Sequence, residues 1–155
     1  MTVDVKGGNA PPPGYATLHC EFPDEGYRLF ALSRFIASGI TYRQPCLLWV
    51  TESDAWPSNV NWQLYYRIRQ TYGDYRPLEE APGHLCLDYE EPDLATWLQL
   101  CFLFGWSAFI LPESGYVRGY LSADEGVDLY SKIDAEIEDL QKRLVEFKVS
   151  RLPAK

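Results

Sequence analysis

The sequence predicts a single α/β domain: a mostly parallel sheet of four to six strands with helices on both faces. An antiparallel hairpin at one edge and a C-terminal amphipathic helix complete it. Three observations carry this expectation. Short apolar runs of strand length alternate with segments of helical period, the pattern of a sheet built from β-α-β units. Residues 84–112, HLCLDYEEPDLATWLQLCFLFGWSAFILP, read as strand, helix and strand with short joins, and such a unit runs right-handed between parallel strands. A hydrophobic content of 46% in 155 residues, with 15% of all residues aromatic, suffices for one well-packed core.

The elements follow in order. Residues 1–14, MTVDVKGGNAPPPG, lack any period and read as a flexible leader with a short polyproline II tract. Residues 15–130 form the α/β domain, and 131–155 a terminal helix and tail. Tyr15–Phe22 is the first strand, stopped by Pro23. Asp24 caps a helix to about Ser38, with Leu29, Leu32, Phe35 and Ile36 inward and Gly39 as its stop. Cys46–Thr51 is continuously apolar, as a buried strand is. Ser58 caps a helix along which Val60, Leu64, Ile68 and Tyr72 recur every four residues. A polar loop, Asp74–Gly83, leads to the strand His84–Leu87. Pro92, with Glu91 and Asp93, opens the next helix, where a missing N–H is harmless and carboxylates favour the dipole. Gly105 ends it, and Ser107–Leu111 returns as a strand. Tyr116–Leu121 and Val127–Tyr130 flank Asp124-Glu125-Gly126 as a hairpin. A competing capping box from Ser122 to Glu125 would start the last helix early, but Gly126 would weaken it. From Ser131 to Val149, Ile133, Ile137, Leu140, Leu144 and Phe147 form a seam of little more than two heptads. The seam either lies across the domain or meets a second copy as a homodimer.

Composition excludes several functions. A net charge of −8 with pI ≈ 4.7 repels nucleic-acid phosphate and anionic lipid and attracts cations and basic proteins. The longest apolar run, Leu98–Trp106, is too short for a bilayer, and the N-terminus shows no export pattern. Cys20, Cys46, Cys86 and Cys101 sit inside apolar runs without a CxxC pair. They read as buried, reduced thiols of a cytoplasmic protein. Only His19 and His84 are histidines. Neither zinc spacing nor a nucleophile motif such as GxSxG, HExxH or a P-loop occurs. The residues call for no cofactor, metal or catalytic set.

Acids mark the strand exits: Asp24 and Glu25, then Glu52 and Asp54, then Asp88, Glu90, Glu91 and Asp93. In a parallel sheet all would gather at the carboxyl edge, where open α/β sheets place ligands. Trp56 and Trp62, with Tyr66 and Arg69 on one helical face, are residue types that anchor protein interfaces. Both sets also have ordinary structural readings, as dipole-complementing acids and as aromatic cover for the sheet.

Trp56–Arg76 (WPSNVNWQLYYRIRQTYGDYR) and Ala81–Pro112 (APGHLCLDYEEPDLATWLQLCFLFGWSAFILP) together resemble a group of small uncharacterised bacterial α/β proteins. The resemblance implies a bacterial cytosolic setting and brings no activity or site residues. In size and charge the chain is also similar to toxin-immunity proteins of the barstar type, by analogy only.

The functional expectation is a non-enzymatic, cytosolic protein-binding module. It would act as an immunity or inhibitor protein that docks a basic toxin or nuclease. Glu52, Asp54, Asp88, Glu90 and Glu91 would form its acidic rim, and Trp56, Trp62, Tyr66 and Arg69 its anchors. The alternatives are a Mg²⁺-dependent enzyme acting on a phosphorylated small molecule at that rim, and a self-associating module using the terminal seam.

Overall fold

The computed structural model describes residues 11, 13–24, 26–40, 44–52, 58–77, 80–115, 117–123 and 125–149; of 52, 58–62 and 146–149 only the backbone is described. Ten elements follow in order: β1 (Ala16–Cys20), α1 (Gly26–Ile40), β2 (Cys46–Glu52), α2 (Ser58–Thr71), β3 (Gly83–Cys86), α3 (Glu91–Phe104), β4 (Ser107–Pro112), β5 (Arg118–Ser122), β6 (Gly126–Ser131) and α4 (Asp134–Val149).

Local chemistry explains the boundaries. Pro92 lies in the first turn of α3 beside Glu91 and Asp93, and Gly105 closes that helix in the left-handed region (φ 64°, ψ 42°). The Gly105 N–H is donated to the Cys101 carbonyl. Glu90 stands at the N-cap without a side-chain cap; its carboxylate instead accepts the Leu87 N–H at 2.8 Å. Gly126 opens β6 at φ 131°, where a Cβ would run into the Cys20 carbonyl.

The sheet is not mostly parallel. Six strands lie in the order β1-β6-β5-β4-β2-β3, and every neighbouring pair is antiparallel. The units β1-α1-β2 and β3-α3-β4 do join strands of the same direction. Antiparallel strands nevertheless stand between the members of each: β6, β5 and β4 in the first, β2 in the second. The reversal enters after α2. Residues 72–82 reach roughly 36 Å when extended, enough to carry the chain back along the sheet before β3 begins. β3 therefore runs against β2 (Cys46↔Cys86, Trp49↔Gly83). The β5–β6 hairpin lies inside the sheet, between β1 and β4, instead of at its edge.

Nor do the described helices lie on both faces. Leu18 and Cys20, Cys46, Leu48 and Val50, Cys86, Ala108 and Ile110, Leu121, Val127 and Leu129 alternate to one side and join one core. That core includes Tyr65 of α2, Leu32, Phe35 and Ile36 of α1, Leu94, Trp97, Leu98 and Cys101 of α3, and Ile137, Leu140 and Leu144 of α4. All four helices thus cover the same face. The α4 seam is largely occupied within the chain: Ile137, Leu140 and Leu144 are buried, Ile133 is 39% exposed, and the Phe147 side chain lies outside the described residues.

Candidate functional site

The opposite face carries no helix among the described residues. Leu85, Leu47 and Leu111 line up across β3, β2 and β4, and beside them lie Trp49, Phe109 and Tyr120 on β2, β4 and β5. Toward β1 the same face becomes polar, with His19 Nδ1 and Asp128 Oδ1 at 2.7 Å near Tyr130, Arg118 and Thr17.

A groove of about 610 Å³ runs along the β3 edge. Its inner wall is β3 itself, with Leu85 55% and Leu87 39% exposed, and Leu47 and Trp49 behind them. The outer wall is the connector from α2, through Tyr72, Asp74, Arg76 and Glu80, and Glu90 stands at one end. Three carboxylates and one guanidinium give it a negative balance.

Beneath the groove lies a buried polar cluster. Arg69 is wholly buried, and its Nη2 is paired with Asp74 Oδ2. Asp74 also accepts from Arg76: Nε at 2.9 Å, Nη2 at 2.9 Å and the backbone N–H at 3.1 Å. Hydrogen bonds from Arg76 and then Arg69 hold the Asp74 carboxyl well below the usual carboxylate range. Arg69 stacks on the Tyr65 ring (5.5 Å), which meets Trp97 at 4.8 Å and Trp106 at 5.7 Å. His84 packs between Tyr72 (4.7 Å) and Trp97 (4.9 Å). Burial, then the nearby Arg69 charge, lowers the His84 pKa and keeps the ring neutral near pH 7. Burial and a hydrogen bond to Asp93 push the Tyr72 phenol upward. Tyr65 Oη, Arg69 Nε and Nη1, His84 Nε2 and Trp106 Nε1 are buried without a hydrogen-bond partner among the described residues.

The structure does not gather the acidic rim. Glu52 ends β2 and Asp88 follows β3, and these strands are antiparallel, so the two leave the sheet at opposite ends. Asp88 is exposed, while Glu90 and Glu91 are half-buried on its side. Asp54 and Trp56 lie outside the described residues, as do the side chains of Glu52 and Trp62. The expected anchors on α2 are also rotated. Arg69 and Tyr65 face inward, Tyr66 is half-buried against the core, and Leu64, expected inside, is 39% exposed. Arg and Tyr are apolar along their stems, so spacing alone cannot orient such a helix. The signal that would have located Arg69 is Asp74 five residues on, since a buried guanidinium needs a carboxylate.

All four cysteines are free and buried. Burial pushes the Cys46, Cys86 and Cys101 thiols up to about 12, which makes them poor nucleophiles. Among the described residues no group of three His, Cys, Asp or Glu converges as a metal site would. No helix among them is long and apolar enough to cross a membrane.

Fold and groove together define a two-layer α/β sandwich, one antiparallel sheet under four helices, with a grooved and partly apolar sheet edge. Comparison with protein-family models, curated proteins and solved structures finds no match to this chain.

Proposed function

We propose that this chain is a protein-binding module that takes a basic partner along the groove at β3. The observation that carries the reading is the combination at that edge: exposed Leu85 and Leu87 flanked by the carboxylates of Glu80, Asp88 and Glu90. Apolar contact supplies affinity, and opposite charge at the rim speeds encounter and selects the partner. A basic toxin or nuclease is the kind of partner that suits a chain of net charge −8. The acidic surface that matters is then the length of the β3 edge, with Glu80 before the strand and Asp88 and Glu90 after it, not a common carboxyl edge of parallel strands.

The test is charge reversal at two exposed positions, Glu80 and Asp88, whose side chains make no described hydrogen bond. A partner captured from the native host is measured against wild type, Glu80→Lys/Asp88→Lys and Glu138→Lys. The double variant should associate about tenfold more slowly at low salt, converging with wild type as salt screens the field. Glu138→Lys, exposed on α4 against the far strands β1 and β6, should associate like wild type. A double variant with an unchanged association rate would remove the groove from the account.

A further inference from the structure

The register of β3 shows how the groove holds its occupant. Val50 donates its N–H to the Pro82 carbonyl at 3.2 Å, which fixes Pro82, His84 and Cys86 as the residues bonded toward β2. In an antiparallel pair the alternate residues turn their N–H and C=O the other way. Gly83 and Leu85 therefore present theirs to the free edge, and no described group is bonded to them. Leu87, next in that series, is already engaged: its N–H goes to the Glu90 carboxylate at 2.8 Å and its carbonyl accepts the Glu90 N–H at 3.0 Å. The edge left open is thus two outward residues wide, with four backbone groups unbonded among the described residues, and the groove lies beside it.

We infer that the partner binds by strand addition: an extended segment pairs antiparallel with Gly83–Leu85, small apolar side chains beside Leu85 and a Lys or Arg at each end. The inference rests on the groove reading above and specifies the chemistry of the partner. Edge strands with unpaired backbone groups are templates for such additions, the backbone giving affinity and alternate side chains specificity. Charge argues for a cationic segment and against a second copy. In a two-fold pairing of β3 about His84, the turns that carry Glu80 and Asp88 at the two ends of the strand would each meet the opposite turn of the other chain. Glu80 of one chain would then be brought toward Asp88 of the other at both ends, and like charges brought together repel. A segment with cations eight residues apart turns both positions into attractive pairs.

The probe is the nonapeptide KVTVTVTVK, whose terminal lysines have that separation. Its control is the same peptide N-methylated at the fourth and sixth residues, which stand opposite Leu85 and Gly83. N-methylation removes the two backbone donors and leaves the side chains and charges in place. The unmodified peptide should bind, and N-methylation should weaken it at least tenfold. Leu85→Pro, which removes one outward N–H at an edge position where proline is tolerated, should weaken it equally. Amide exchange gives a second reading on the full chain. Gly83 and Leu85 should exchange fast when free and slow on addition of peptide, while His84 and Cys86 stay slow throughout. If the methylated peptide binds as well as the parent, strand addition is overturned and the groove reading stands. If neither peptide binds at millimolar concentration, both are overturned. If Leu85 is already protected and the protein mass doubles with concentration, a second copy occupies the edge and the cationic segment is refuted.

Discussion

Arg69 sits where its charge has no water, wholly buried and stacked on Tyr65, and one carboxylate makes that position tenable. Asp74 is shared between Arg69 below and Arg76 above, so the start of the connector is pinned to α2 and to the groove rim. Removing the acid strands a buried cation, whereas removing the cation leaves Asp74 with Arg76. Arg69→Met should therefore stay within about 1.5 kcal/mol of wild type in urea unfolding, and Asp74→Asn should be the more damaging change. The pH dependence has a defined sign. Asp74 is held below its unfolded value, near 3.9 in model peptides, so its contribution is complete above that pH and fades as pH falls toward the lower folded value. Wild type should lose stability below about pH 4 more steeply than Asp74→Asn, and equal slopes in acid unfolding would contradict this assignment.

Among the elements, α4 shows how a seam that would suit a second chain is used within one. Ile137, Leu140 and Leu144 turn into the common core, and Leu140 Cδ2 lies 2.9 Å from where a Cβ on Gly39 would stand. A side chain at Gly39 would make the end of the Leu140 side chain shift. Arg143 stacks over the Phe35 ring at 6.0 Å from the other direction. Leu140→Ala should cost about 2–5 kcal/mol, as buried leucine truncations do, while Val145→Ala, at a site 55% exposed, should stay within about 0.5 kcal/mol. Urea unfolding of the two variants makes the comparison. Similar small losses in both would mean that α4 is not docked as described.

For the whole molecule, a single helical layer on one face makes the buried side of the sheet one cooperative core. Cys46 and Cys86 face each other across β2 and β3, Cys101 lies on α3 and Cys20 on the far strand β1. All four are buried in that one cluster. Their exposure should require opening of the core as a unit, with the Cys46, Cys86 and Cys101 thiols, pushed up to about 12, resisting alkylation meanwhile. Iodoacetamide labelling in urea, read by mass, should pass from none to four modifications across the unfolding transition, with single and double adducts scarce. Early labelling of Cys86 alone would show that β3 opens independently of the rest.

Element order was legible in the residues themselves. Strand-length apolar runs, Pro92 and Gly105 around α3, and Gly126 at the start of β6 each act within a few positions, so their signals lie in the chain. The buried thiols and the apolar faces of α1, α3 and α4 follow from the same short periods. Strand direction did not. It was decided by the return of residues 72–82, whose path depends on which surfaces it can cover and not on any local preference. The rotation of α2 was likewise settled by Tyr65 and Arg69 packing on Trp97 and Trp106, contacts between segments far apart in the chain. The β3 groove exists only because those two choices were made together: reversing β3 put Gly83 and Leu85 on an open edge, and the connector that reversed it became the facing wall.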